Sequence, residues 1–279
     1  MMSIRVMTRE DLEIAAGWAA AEGWNPGLGD AAAFHAADPS GFLMGFLGDE
    51  PVTAISVVAY GAAYGFLGFY LCRPEQRGRG YGWQTWQAGL EHLGARVIGL
   101  DGVVAQQDNY RRSGFALAHR TIRVSGTVTA GPPRDPRLVP VTAALLPAIQ
   151  AYDAGLVPAA RPAFLDAWLG GGGGRQAIAF VRDGVVRGYG VIRPAVTGFK
   201  IGPLFAEGAM EADILFRALA AKAEGRQVFL DTPEPNYEAL ALARRYGLAP
   251  VFETARMYRG PAPALPLQRI FGNTSFELG

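Results

Sequence analysis

Short apolar runs separated by turn residues fill the first third of the chain, and their repeat changes from about two residues to about 3.6 where helices begin. Residues 4–7 predict a strand and residues 10–21 a helix. Apolar runs at 41–47, 52–60 and 64–71 are divided by Gly-Asp-Glu-Pro and Gly-Ala-Ala, which predicts an antiparallel meander. After a glycine-rich turn, Trp83, Trp86, Leu90 and Leu93 recur at steps of three and four, the spacing of one helix face. Residues 97–100 then form a buried strand, a short helix leads into Gly114, and 116–124 is a closing strand.

The same plan returns further on. Residues 177–181, 185–192 and 199–205 have strand character, and Ala212, Leu215, Phe216, Leu219, Ala220 and Ala223 mark an amphipathic helix. A strand at 227–230, a helix at 237–246 and a strand at 251–258 follow. Particular residues repeat as well. Thr142 and Leu146 stand 134 positions after Thr8 and Leu12, and Gly247 of Arg244-Arg-Tyr-Gly-Leu248 stands 133 after Gly114 of Arg111-Arg-Ser-Gly-Phe115. Leu100-Asp101 precedes the first of these segments and Leu230-Asp231 the second. Three ordered matches at nearly one offset indicate a duplicated domain. The fold class is therefore α+β: two tandem units, each a mixed, largely antiparallel sheet flanked by helices. A length of 279 residues suits two domains. The expected organisation is a first domain over 1–128, a Pro-rich linker over 129–136, a second domain over 137–260 and a tail over 261–279. Gly170 to Gly174 make a loop with no ordered phosphate fingerprint.

Charge narrows the function. Lys and Arg total 26 against 25 Asp and Glu, a net charge of +1 that argues against a nucleic-acid partner. One cysteine, Cys72, excludes an intramolecular disulfide and a Cys-based zinc site. His35, His92 and His119 form no ligand-spaced pair, and no Gly-x-Ser-x-Gly elbow is present. No run reaches the roughly eighteen apolar residues of a membrane span, and the first residues lack a signal-peptide core. The expectation is a cytoplasmic protein without metal or membrane partner, monomeric or homodimeric.

The most informative stretch is Arg73-Pro-Glu-Gln-Arg-Gly-Arg-Gly-Tyr-Gly-Trp-Gln-Thr-Trp86. Phosphate loops remove side chains so that backbone N–H groups converge at a helix N-terminus, and Gly78, Gly80 and Gly82 are spaced for that role. The spacing is neither Walker A nor the dinucleotide fingerprint. The order strand, Pro74, Arg77-x-x-Gly80-x-Gly82, helix resembles the acyl-CoA pyrophosphate loop of the GNAT acetyltransferases. The resemblance covers nearly the whole chain. It implies acetyl-CoA as cosubstrate, held by Leu71, Cys72, Arg77, Gly78, Arg79, Gly80, Tyr81 and Gly82. It also implies that Tyr110, four residues before Gly114, protonates the leaving thiolate. The asparagine that members often carry seven residues earlier is Val103 here. The second half resembles the same domain with its loop lost. Ile201 to Met210 contains no Arg-x-x-Gly-x-Gly, Glu207 would repel a pyrophosphate, and the tyrosine position is Ala243, although Asn236 fits the asparagine position. Trp24-Asn-Pro-Gly27 and the Phe271 to Gly279 ending are similar to a bacterial group of tandem GNAT proteins.

The reaction this resemblance implies is direct attack of a primary amine, on a small molecule or a peptide, upon the acetyl thioester. A lysine-like amine of pKa about 10.4 is uncharged in about one molecule in 2,500 at pH 7, a cost of about 4.6 kcal/mol that a base would lessen. Members often place a carboxylate base on the strand at 64–72, which has none here. Asp101 is the candidate, with Glu22, Asp231 and Glu234 behind it. Trp24 and Asn25 are candidate acceptor contacts, and Arg161, Trp168, Tyr189 and Lys200 are candidates from the second half for a wall of the acceptor pocket. A non-catalytic acyl-CoA sensor, or transfer of another acyl group, is the alternative. The tail carries Ile270, Phe271, Phe276 and Leu278, more apolar surface than a free tail tolerates, and is expected to dock.

Overall fold

A computed structural model describes residues 1–279. The first half runs β1 (Met2–Val6), α1 (Arg9–Ala21), α2 (Asp30–Ala37), β2 (Phe42–Leu47), β3 (Glu50–Tyr60), β4 (Tyr64–Cys72), α3 (Tyr81–Leu93), β5 (Val97–Val103), α4 (Gln107–Arg112) and β6 (Ala116–Thr127). The second half repeats the order as β7 (Leu138–Pro140), α5 (Leu146–Ala154), α6 (Pro162–Leu169), β8 (Gln176–Arg182), β9 (Val185–Pro194), β10 (Phe199–Ala206), α7 (Ala209–Ala220), β11 (Gln227–Pro233), α8 (Tyr237–Arg245) and β12 (Ala249–Arg259), and a short β13 (Ile270–Gly272) follows. Helix α1 begins where Thr8 and Asp11 form a reciprocal capping box, and it buries Leu12, Ala15 and Ala19 along one face. Helices α2 and α6, which the apolar pattern did not predict, are apolar on most sides. They pack together inside a core that spans both halves, where Phe34 stacks on Trp168 at 6.0 Å.

The halves share one sheet, in the order β1-β2-β3-β4-β5-β12-β6-β11-β10-β9-β8-β7. This order reads the same from either end once each strand is replaced by its repeat partner, so a pseudo-twofold axis lies between β12 and β6. The last strands of the halves have changed places. β6 pairs with β11 of the second half, and β12 pairs with β5 of the first. Equivalent buried ion pairs fasten both crossings. Arg256 on β12 grips Asp101 on β5 through two hydrogen bonds of 2.8 and 2.6 Å, and Arg123 on β6 grips Asp231 on β11 at 2.6 and 2.8 Å.

Each half carries a place where neighbouring strands part. β4 pairs with β5 only through Tyr64 to Leu67, and beyond Leu67 the two diverge. The equivalent β10 pairs with β11 only through Phe199 to Ile201. In the second half the parting is closed by the chain's own tail, for β13 runs antiparallel to β10 with Gly272 opposite Leu204. Asn236 caps α8 and turns its amide to the carbonyls of Leu267 and Ile270, so it holds the tail in place. From there the tail crosses toward the first half. A Cβ on Gly202 would lie 2.6 Å from the Thr274 carbonyl, and one on the equivalent Gly68 would lie 2.8 Å from Glu277 Cα. Both glycines are required by that close approach. Ser56 and Tyr60 donate to the carbonyls of Glu277 and Leu278 at 3.0 Å each, and Phe271, Phe276 and Leu278 are buried.

His119, on β6 opposite Arg256, lies at the strand exchange. Burial, and then the Arg256 charge, lower its pKa from 6.5 to about 4. The unfolded chain binds that proton near pH 6.5 and the folded chain only near 4. The associated stability is therefore fully present above 6.5 and lost as pH falls toward 4. His119→Gln has no such charge to gain. Its melting temperature should fall less than that of wild type between pH 6.5 and 4.5; parallel curves would show that His119 does not matter.

Candidate active site

The glycine stretch leaves β4 through a 3-10 turn at Pro74–Gln76 and enters α3. Gly78 and Gly80 have φ of 76° and 83°, a left-handed backbone that side chains other than glycine rarely adopt. Gly80 stands at the N-cap of α3, where no side chain caps the helix. The first-turn N–H groups are therefore free to receive an anion, and the helix dipole favours one there. Cβ atoms built at Gly78 and Gly80 would meet nothing within 4 Å, so both glycines border open space. A pyrophosphate fits such a cradle.

From the cradle a cavity of about 510 Å³ runs between the diverging ends of β4 and β5. Leu67 to Cys72 form one side and Leu100 to Val103 the other. Glu22, Trp24 and Tyr110 line it as well, and a further wall comes from the second half and the tail, as Phe252, Thr254, Phe276 and Glu277. The strand exchange explains this, because it lays β12 beside β5 with Thr254 opposite Val103. Within β4, Phe69 and Tyr70 together stand opposite the single residue Ile55. The ladder breaks at this bulge, where Phe69 takes φ of 44°. Such strain in a non-glycine residue is held only by firm surroundings, and Phe34 packs edge-on against the Phe69 ring.

The ionisable residues along the cavity differ in how they are committed. Tyr110 is buried, stacks on Trp86 at 5.6 Å and packs over Gly102, where an added Cβ would lie 2.8 Å from the tyrosine Cδ2. Burial, with neighbouring Tyr70 adding to it, pushes the Tyr110 hydroxyl well above its usual pKa. Tyr70 is likewise raised, to about 12, by burial and then by Cys72. Burial also raises the Cys72 thiol, against the pull of Arg77. A thiol so placed is a poor nucleophile at neutral pH. Asp101 lines the cavity with both carboxylate oxygens engaged by Arg256. Burial raises its pKa, and Arg256 acts against that rise. Glu22 is paired with Arg77, which also donates to the Cys72 carbonyl at 3.0 Å. Glu277 is 4% exposed, and its Oε2 has no hydrogen-bond partner. No three His, Cys, Asp or Glu side chains are grouped to hold a metal ion, and no helix is long and apolar enough to cross a membrane.

Comparison with known proteins agrees with this geometry. Residues 7–116 match the acetyltransferase (GNAT) family, and residues 149–272 match an acetyltransferase (GNAT) domain. The holothin acyltransferase of Pseudoalteromonas sp. (strain SANK 73390) is 35% identical over 271 residues, covering 97% of this chain and 92% of that protein. The chain belongs to the GNAT family. This GNAT protein is a tandem acyltransferase, and members of the family generally draw on an acyl-CoA. Its fold is similar to that of an acetyltransferase-like protein from Pyrococcus horikoshii, with a TM-score of 0.83 at 23% identity over 100% of this chain and 96% of the other. A tandem GNAT protein from the clavulanic acid biosynthesis pathway aligns with a TM-score of 0.65 at 15% identity, over 94% of this chain and 100% of its own.

Among the residues singled out from the sequence, Leu71, Cys72, Arg77, Gly78, Gly80, Tyr81, Gly82, Asp101, Tyr110 and Trp24 all line the cavity. Arg79 does not. Asn25 is also elsewhere, exchanging hydrogen bonds of 3.1 and 2.8 Å with the Thr197 backbone. Arg161, Trp168, Tyr189 and Lys200 lie buried outside the cavity lining. Arg161 and Tyr189 share Asp153, and Trp168 donates to the Gly202 carbonyl at 3.2 Å. The second half reaches the cavity through β12 and the tail instead. Trp83 departs from the helix-face reading. It is 53% exposed and lines the cavity from the first turn of α3. Asp231 is consumed by Arg123 and Glu234 faces solvent.

Proposed function

We propose that this GNAT protein transfers an acetyl group from acetyl-CoA directly to a primary amine, bound in the cavity where β12 and the tail face β4 and β5. The observation that carries this reading is one continuous cavity joining the α3 cradle to a wall built from the second half. Gly78, Gly80 and the uncapped α3 N-terminus would hold the pyrophosphate, with Arg77 beside it. The open parting of β4 and β5 would take the extended arm, just as β13 occupies the equivalent parting of the second half. One consequence is a single cosubstrate site per chain. The bulky Trp24, Phe252 and Phe276 reduce the room for a long acyl chain among the lining residues, which favours acetyl.

Bound acetyl-CoA supplies an acyl carbonyl and a thiol leaving group. The chain supplies the rest. A backbone N–H at the β4 bulge polarises the carbonyl oxygen. Tyr110 keeps its proton at neutral pH because burial raises its pKa, and so can deliver it to the departing sulfur. Cys72, held as a thiol, leaves transfer direct.

The test is thiol release from acetyl-CoA across a panel of amines, amino acids, peptides and holothin, with longer acyl-CoA donors in parallel. Titration calorimetry should find one equivalent of acetyl-CoA, and two would overturn the closed second parting. Gly80→Val forces a β-branched side chain onto a left-handed backbone, a strain of about 1–3 kcal/mol, and also crowds the cradle. It should weaken acetyl-CoA about tenfold or more, with thermal stability changed far less. Unchanged affinity would remove the cradle from the site.

A further inference from the structure

The cavity holds one carboxylate that no arginine has claimed. Asp101 gives both oxygens to Arg256, Asp231 gives both to Arg123, and Glu22 is paired with Arg77. Glu277 lines the cavity, 4% exposed, with Oε2 lacking any partner. A buried charge without a partner costs several kcal/mol unless something compensates it. Arg123 and Lys200 attract this one, but neither makes a hydrogen bond or ion pair with it. What Glu277 contributes to docking the tail comes from its backbone, which accepts from Ser56 and lies against Gly68. A neutral side chain of similar shape would serve that role equally well.

We propose that Glu277 receives the ammonium of the acceptor and takes its proton. This rests on the amine reading above. The proton passes from nitrogen to the Glu277 carboxylate, and the freed lone pair attacks the acyl carbonyl. The new C–N bond forms, the C–S bond breaks, and the thiolate leaves with the proton of Tyr110; the nitrogen sheds its second proton to the Tyr110 oxygen, which leaves the amide, the free thiol, a neutral Tyr110 and one proton on Glu277. Glu277 belongs to the tail, so the base comes from the far end of the chain and not from β4. Charged groups near it are Asp101 on β5, Arg123 on β6 and Lys200 on β10. The Lys200 ammonium has no hydrogen-bond partner, and burial, followed by Arg123, lowers its pKa to about 8. Lys200 is absent from the cavity lining, whereas Glu277 belongs to it.

The probes are benzylamine, an ammonium at pH 7, and aniline, which is uncharged there. Both are assayed with acetyl-CoA on the full-length protein. Glu277→Gln should lower kcat/KM for benzylamine about a hundredfold while leaving aniline and the Kd for acetyl-CoA within about threefold of wild type. The benzylamine rate of the variant should rise with pH as the free amine accumulates. Retained aniline turnover also shows that the variant is folded. If wild type acetylates both amines and the variant does so equally, or loses both alike, the assignment to Glu277 is overturned. If wild type acetylates neither, the amine reading fails and takes this role with it.

Discussion

Tyr110→Phe is expected to lower kcat by roughly a hundredfold to a thousandfold while leaving the Kd for acetyl-CoA unchanged. General acids typically contribute about 10²–10⁴ in rate. The change removes one oxygen and keeps the ring, which is what the stack on Trp86 and the packing over Gly102 hold. Only the departing sulfur loses a partner, so the loss should fall on kcat and kcat/KM together. The direction of the pKa shift adds a second signature. Because burial raises the hydroxyl well above 10, the donor form persists through the whole neutral and mildly alkaline range. The wild-type rate should therefore show no alkaline decline attributable to Tyr110 below about pH 10. Equal turnover of the two proteins with a good acceptor would reduce Tyr110 to a packing residue.

Arg256→Met should destabilise the protein by about 3–5 kcal/mol. The Asp101 side chain is 0% exposed and Arg256 7%, so the substitution strands a buried carboxylate with no cation. Burial opposes the Arg256 charge, but Asp101 more than offsets it and raises the guanidinium well above its usual range. At about 2–4 °C per kcal/mol for a chain of this size, the melting temperature should drop by roughly 10 °C. Pairing the change with Asp101→Leu should return most of the loss, since an apolar pair avoids the desolvation cost altogether. Denaturant titration of the single and double variants measures both. A single variant within 1 kcal/mol of wild type would mean that β12 is held to β5 by its backbone ladder alone.

The parts legible in the sequence were those that neighbours along the chain determine. The Gly78 to Gly82 loop could be located because a strand, three spaced glycines and a helix start lie within one short stretch. The duplication was visible because its residues recur at a fixed offset, and the tandem GNAT assignment agrees with it. Pairing across distance was not visible. The patterns of β6 and β12 specify strands, but nothing in alternating apolar residues states which edge a strand will join, and equivalent strands carry equivalent faces. The exchanged pairs Asp101 with Arg256 and Asp231 with Arg123 were unreadable for the same reason. Trp83 matched a helix-face spacing, yet it sits in a first turn that faces the cavity. Glu277 carried no motif. Its importance comes from a tail that turns back onto Gly68, a contact between residues far apart in sequence.

The strand exchange bears on how the chain must be built. A ribosome releases β5 with its neighbour β12 more than a hundred residues from being made. Until then β5 offers an unpaired edge, and β6 waits for both β11 and β12. Contacts of such long sequence separation slow folding and leave edges open to wrong partners. The first half cannot complete its sheet as it emerges, and the wall contributed by Phe252, Thr254 and Glu277 arrives only after the second half has been translated. Nascent chains of this protein are thus expected to depend on being held apart until the second half has emerged, and the acyltransferase to take shape as one unit and not one domain at a time.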